Sequence, residues 1–302
     1  MDFSNRVTQK GAEIDRREAH GFESRLVIQM HFSKRICEMD GSRIILAAHR
    51  GDRKKCPENT LPAFENALRF RADMIETDVH MTSDGALVLI HDRALKRTTG
   101  ADGTTDQTTL QDIRSLDAGS WFSHDFINTP VPTVEEFISL IKNSDMLVNW
   151  ELKDYPCEVG EAFAFETADR LIDTIRKHGL EERSMINSFS DRVLEHVCGK
   201  YGSAFPIHGQ GIYHCQRTND SATVKQEELY NWCCLYPNEK GFTPLDFPEN
   251  FEYCKKHGIF PCVCVPDHID TYKKYVELGC RMFTSNDIYE ADRILKELGL
   301  RL

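Results

Sequence analysis

A chain of 302 residues that is 40% hydrophobic, with 11 Pro and 18 Gly, carries enough apolar material for a folded core and excludes a largely disordered protein. Its 37 Lys+Arg against 48 Asp+Glu give a formal charge of -11, which works against non-specific binding to nucleic acid or to anionic membranes. An anionic substrate would therefore need a local basic pocket or a metal ion.

No apolar run approaches the roughly 20 residues that span a bilayer, and the charged N-terminus has no signal-type apolar region, so a soluble, cytoplasmic protein is expected. The 11 cysteines lie mostly in apolar runs such as FPCVCV and NWCCLY, with no CxxC pair. They read as reduced core thiols rather than a zinc or disulfide framework. The sequence sets no oligomeric state.

In chain order, residues 1–42 form an N-terminal extension in which ESRLVIQMHFSKRI has the pattern of an amphipathic helix covering one end of the fold. From residue 43 to 302, short β-like runs alternate with helical ones. The runs are IILAAH, MIETDV continuing through ALVLIH, MLVNWELK, SMINSF, FPIHGQG, WCCLYP, IFPCVCV and RMFTSN, and several intervening helices end in Gly. Eight alternations over about 260 residues match a (β/α)8 TIM barrel. An open doubly wound sheet is the fallback, but it would normally bring a Gly-rich phosphate loop, and neither GxGxxG nor GxxxxGK[ST] is present. Residues 92–130 are a polar excursion too long for an ordinary connection, which reads as an insertion capping a site.

In such a barrel the C-terminal strand ends converge on one cavity. They would bring His49 and Arg50 from the first run, Glu76 and Asp78 from the second, His91 and Asp92 from its continuation, and Glu151 and Lys153 from the third. Glu76 and Asp78 are two apart and so share a face, as do Glu151 and Lys153. Buried carboxylates need compensation. A divalent cation supplies it, and three hard carboxylate oxygens suit Mg2+ or Ca2+ better than zinc. A salt-bridge network among Glu76, Asp78, Glu151, Lys153 and Arg50 is the alternative. His49 and His91 each end an apolar run at the same rim, where two histidines can share the removal and delivery of a proton. In PENTLPAFENAL, Thr60 stands at the N-cap of a helix with Pro62 behind it, and capping accounts for Asn59 and Thr60.

HRG, PENT, IETDVHMTSDGALVLIHD, LKRTTG, LDAGSWF, VPTVEEF, NWELK and INSF, in that order, resemble the signature blocks of the glycerophosphodiester phosphodiesterases. The likeness is in register over about residues 43–190 and looser beyond. It implies a TIM barrel with a small subdomain inserted after the second strand. It also implies hydrolysis of a small glycerophosphodiester to glycerol 3-phosphate and an alcohol with one divalent cation, Mg2+ or Ca2+. Carried over, Glu76, Asp78 and Glu151 would be metal ligands, His49 and His91 the acid–base pair, and Arg50 and Lys153 phosphate contacts. The resemblance further implies attack of a glycerol hydroxyl on phosphorus to give a cyclic phosphate, which water opens.

The chain departs from that pattern late, with Cys262-Val263-Cys264-Val265-Pro266-Asp267 where the family shows a Trp-Thr pair and Thr284-Ser285-Asn286-Asp287 where it shows Thr-Asp. The same machinery would serve a lysophospholipase-D-like diesterase, which an apolar rim around Trp121, Phe122 and Phe126 would favour and the lack of an anchor disfavour. A silent phosphoester-binding barrel would be expected to lose an acid or a histidine, and none is lost.

Overall fold

The computed structural model describes residues 44–210, 222–237, 241–264 and 269–301. The N-terminal extension and the departures at Val265, Pro266 and Asp267 lie outside the described residues. Strict two-residue alternation builds the barrel wall. In β1 (Ile45–His49), Leu46 and Ala48 face the helices while Ile45 and Ala47 face the barrel interior. In β2 (Met74–Met81), Ile75 and Val79 face out and Met74 faces in, so Glu76, Asp78 and His80 also face in.

A two-faced core requires apolar residues on both sides of each strand, which is why these runs are nearly continuous rather than alternating. Outside, Phe64, Phe137 and Trp150 stack in sequence with ring centroids 4.5 and 5.4 Å apart. The Trp150 indole donates to Ser184 Oγ at 3.0 Å, so its one polar atom is satisfied in the core.

The run read as one strand through ALVLIH is two. Thr82–Ala86 turns the chain, and β3 (Leu87–Leu89) returns antiparallel along β2. The remaining strands are β4 (Leu147–Leu152), β5 (Ser184–Ser188), β6 (Ile207–Gln210), β7 (Trp232–Leu235), β8 (Phe260–Cys264) and β9 (Met282–Ser285). All pair in parallel, β1-β9-β8-β7-β6-β5-β4-β2, and β1–β2 pairing closes an eight-stranded barrel with β3 outside it. This is a TIM barrel.

The segment after β3 packs with Val88 of that strand around a small core of Ile90, Leu95, Ile113, Ala118 and Val131, forming an inserted subdomain beside β2. It returns to the barrel through the helix Val134–Ile141, whose start is fixed by a capping box between Thr133 and Glu136. At the earlier helix Leu61–Phe70, Thr60 does occupy the N-cap position, but its hydroxyl makes no cap. It donates back to Pro57 O at 2.6 Å, because the turn before the helix folds over it.

Candidate active site

The stretch after β1 explains why His49 and Arg50 need the glycine that follows. Arg50 and Gly51 both have positive φ, 58° and 78°, and a Cβ on Gly51 would lie 2.8 Å from the Ala63 backbone. This tight left-handed turn swings Arg50 over β2, where its backbone N–H donates to Glu76 Oε2 at 3.0 Å. Its guanidinium spans Glu58, at 2.8 Å, and Asp78, at 3.3 Å. Backbone strain of this kind persists only where surrounding contacts over-determine it.

All seven candidate residues meet at the mouth of the barrel, where a cavity of about 500 Å³ is lined by His49, Arg50, Glu76, His91, Glu151 and Lys153. Asp78 lies against the same cluster, with one oxygen each of Asp78, Glu76 and Glu151 within 4.8 Å of one another. The hairpin made by β3 carries His91 back to this level, with the Ile90 N–H on Asp78 O at 3.2 Å.

Each histidine is pinned by one nitrogen. His49 Nδ1 lies 2.5 Å from Asn286 Oδ1, which accepts its proton and leaves Nε2 on the side of Glu76, 3.9 Å from Oε2. His91 Nδ1 lies 2.5 Å from Asp92 Oδ1, leaving Nε2 to accept from Lys153 Nζ at 3.1 Å. In both rings Nδ1 is the pinned nitrogen, and Nε2 is turned toward Glu76 in His49 and toward Lys153 in His91. They differ in partner: a neutral amide for His49, a carboxylate for His91. Burial, with the charge of Arg50 beside it, pushes His49 down to about 3. Asp92 is held well below the ordinary carboxylate range by its hydrogen bond to His91 and by Arg97.

The three acids form a buried, mutually repelling set. Burial, then Asp78 and Glu151, drive Glu76 well above its ordinary value. Burial opposes the charge on Asp78, but Lys153 and Arg50 outweigh it and hold Asp78 far below the ordinary range. Burial likewise opposes the charge on Lys153, but Glu151, 2.7 Å away, together with Asp78 keeps it protonated. The salt-bridge network expected as the alternative is thus present in part. It leaves Glu76 Oε1 and Asp78 Oδ1 buried with no hydrogen bond among the described residues. Asp78 Oδ1 keeps only an ion pair with Lys153 Nζ at 3.4 Å, and Glu76 Oε1 keeps no such partner among the described residues; with the third carboxylate they form a donor set of hard oxygens that fits Mg2+ or Ca2+.

Several residues have roles that the sequence did not give them, and Asn59, read there as capping, is one. Asn59, at φ 55°, donates to Asp78 Oδ2 at 2.7 Å and accepts from Thr77 Oγ1 at 2.9 Å, fixing one acid from the loop above it. Asn286 orients His49. His80 and Asp154 form a buried pair at 2.6 Å beneath His91, whose carbonyl oxygen lies 3.3 Å from His80 Nε2. Glu58 collects Arg50, Arg53 and Arg97 at 2.8, 3.0 and 2.7 Å.

Glu58 also has a pH consequence. Burial would raise its carboxyl, but the Arg97 hydrogen bond and the charges of Arg50 and Arg53 lower it to about 2. Unfolded, it would titrate at its ordinary value of 4.5. Between those values the unfolded chain binds the extra proton, so this stabilisation is complete above pH 4.5 and lost as pH falls toward 2. Glu58→Gln is expected to cost roughly 3 kcal/mol at pH 7 and to flatten this part of the acid limb. Denaturant melts at pH 7, 4.5 and 3 measure both effects, and parallel wild-type and variant curves would refute the assignment.

Comparison with known proteins bears on this geometry. The glycerophosphoryl diester phosphodiesterase family model matches residues 49–293. The chain belongs to this family. It is accordingly an enzyme of the phosphoric diester hydrolase class. A glycerophosphodiester phosphodiesterase from Caldanaerobacter subterraneus subsp. tengcongensis is 33% identical over 245 residues, 81% of this chain and 95% of that one. Among solved structures, an Oleispira antarctica phosphodiesterase in complex with the product sn-glycerol-3-phosphate superposes with a TM-score of 0.71 at 23% identity, covering 83% of this chain and 96% of that one. A glycerophosphodiester phosphodiesterase from Agrobacterium tumefaciens gives 0.64 at 23% identity, over 81% and 97%. At these identities the two structures establish the shared fold of the family.

Proposed function

We propose that the protein hydrolyses a small glycerophosphodiester to glycerol 3-phosphate and an alcohol, using one divalent cation, Mg2+ or Ca2+, held by Glu76, Asp78 and Glu151. The observation that carries the reading is the pair of histidines, each pinned at Nδ1, with His91 Nε2 against Lys153, beside a cluster of three buried carboxylates in one cavity. The product complex of the Oleispira antarctica relative supports the substrate class.

A phosphodiester carries one negative charge, and more gathers on its non-bridging oxygens as the nucleophile attacks. Lys153 and Arg50 place two fixed cations at that position. The bound cation supplies further charge neutralisation and Lewis-acid polarisation. His91 serves as the proton acceptor, its ring oriented by the bond from Nδ1 to Asp92. It takes the proton of the glycerol hydroxyl as that oxygen bonds to phosphorus. His49, its protonated form favoured by the substrate's negative charge, delivers a proton to the departing alkoxide. Water then opens the cyclic phosphate with the two roles exchanged, His49 receiving the water proton and His91 returning its own to the glycerol oxygen.

One observation favours a second substrate class. Trp121 and Ile127 are 42% and 44% exposed, and Trp121, Phe122 and Phe126 stack edge to face on the inserted subdomain, as a lipid-facing rim would. No helix among the described residues is long and apolar enough to cross a membrane. The thiols buried in the core, such as Cys254 and Cys280, suit a reducing, cytoplasmic setting.

Purified protein assayed on glycerophosphocholine, glycerophosphoethanolamine and glycerophosphoinositol, with EDTA and with added Mg2+ or Ca2+, is expected to release glycerol 3-phosphate only with metal. Turnover of lysophosphatidylcholine alone would move the substrate to the second class. Release unaffected by chelation would overturn the cation.

A further inference from the structure

In the wall of the same cavity, where His208 and Cys234 line it alongside Glu76 and Glu151, the barrel interior holds a donor set of different chemistry. His208 on β6, Cys234 on β7 and Cys262 on β8 all point inward, and all three are fully or almost fully buried. They belong to three successive strands, and Cys234 and Cys262 are register partners across the β7–β8 pair. Their ligand atoms all lie within 4.8 Å of one another, and His208 Nε2 is 3.0 Å from Cys262 Sγ. Cys264, two residues along β8 and on the same face, lines the active-site cavity and shares a hydrogen bond with the Cys234 thiol.

We propose that His208, Cys234 and Cys262 form a second metal site, for a borderline-soft divalent ion such as Zn2+, with a fourth position directed toward Cys264 and the cavity. One imidazole nitrogen and two sulfurs select such an ion against Mg2+ or Ca2+, whereas Glu76, Asp78 and Glu151 select the reverse. Loading removes one proton from each of the two thiols. Two thiolates then cancel the charge of a divalent ion, so the loaded site is neutral and compatible with a buried position in the barrel. Tetrahedral Zn–N and Zn–S bonds separate nitrogen from sulfur by roughly 3.6 Å, so the observed pair needs to spread by only about half an ångström.

A second observation concerns the other nitrogen of the ring. Asn149 Nδ2 donates to His208 Nδ1 at 3.1 Å, while Asn149 Oδ1 is buried without a hydrogen-bond partner among the described residues. In this arrangement Nε2 carries the proton and aims it at Cys262. A metal-bound Nε2 requires the proton on Nδ1 and an acceptor facing it. Turning the Asn149 amide by half a revolution supplies that acceptor from the orphaned oxygen. Asn149 lies on β4 two residues before Glu151, on the same strand face, so one strand serves both the hard site and the soft site.

The test uses the full chain, reduced and stripped of metal, with saturating Mg2+ to fill the carboxylate site. Titration with Co2+ is expected to give one equivalent of thiolate-to-cobalt charge-transfer absorption. Cys262→Ser and Cys234→Ser should each weaken that binding at least tenfold, and Cys157→Ser, at an exposed position, should leave it unchanged. If the core variants fail to fold, X-ray absorption of the zinc-loaded wild type decides: a shell with two sulfurs and an imidazole nitrogen supports the site, and an all-oxygen shell overturns it. Absence of the charge-transfer band, or its survival in folded Cys262→Ser, would also overturn it. Because the readout is spectroscopic, failure here leaves the phosphodiesterase assay untouched, and the two readings fall separately.

Discussion

Alanine at His49 or at His91 is expected to lower kcat by about 10²–10⁴ while leaving thermal stability within a few degrees of wild type. Each ring is pinned at Nδ1 and lines the cavity, so its removal would delete the proposed proton-transfer atom without opening the large apolar core. The two variants should differ in pH profile. Asp92 holds the His91 ring, whereas His49 rests against the neutral Asn286 and is buried beside Arg50, which disfavours its charge. An activated diester with a good leaving group needs little help from a proton donor. Bis(p-nitrophenyl) phosphate should therefore rescue His49→Ala more than His91→Ala. Rescue in the opposite order would exchange the two roles, and activity unchanged in both variants would remove the assignment.

Glu76→Gln should act in opposite directions on two measurements. Glu76 is the acid that burial and its neighbours Asp78 and Glu151 push hardest toward its neutral form. Glutamine supplies that neutral form directly and can still accept from the Arg50 N–H. In EDTA the variant should be more stable than wild type, read as a rise in Tm. With Mg2+ or Ca2+ the sign reverses, because one of three anionic ligands is gone, and affinity should fall by about 100-fold together with turnover. A purely structural salt-bridge network predicts something else: destabilisation in both conditions and no dependence on metal. Melting curves with and without divalent ion separate the two cases.

Much of this architecture is legible in the sequence, for reasons that lie in particular residues. Period-two alternation marks MLVNWELK as a strand with Asn149, Glu151 and Lys153 on one face, and polar side chains on the inner face of an otherwise apolar run have few explanations besides a site. The chain-end residues of β1 and β2 follow from the same argument. What resisted reading depends on chain reversal and closure. His91 reaches the cavity only because β3 folds back along β2, a reversal at Asp84-Gly85 that the continuous reading through ALVLIH overlooked. Asn286 meets His49 because β9 closes the barrel against β1, a contact between residues 237 positions apart. Glu58 and Asn59 sit in a loop whose polar composition looks like ordinary helix-capping sequence. Their partners are fixed by the left-handed turn at Arg50 and Gly51 rather than by any local pattern. The thiols of β7 and β8 look like core packing in one dimension, and only the register between strands places Cys234 opposite Cys262.

The three guanidinium groups on Glu58 also constrain how the inserted subdomain can be exchanged. Arg97 belongs to that subdomain, and Arg50 belongs to the turn that carries the catalytic rim, yet they share one buried carboxylate. Arg97 also holds Asp92, which in turn holds His91. A loop grafted from another barrel to alter head-group preference would therefore arrive with the wrong countercharge unless it brings an arginine at this point. Transplants that keep the LKRTTG segment as a fixed hinge and vary only residues beyond it would leave the proton-transfer geometry undisturbed.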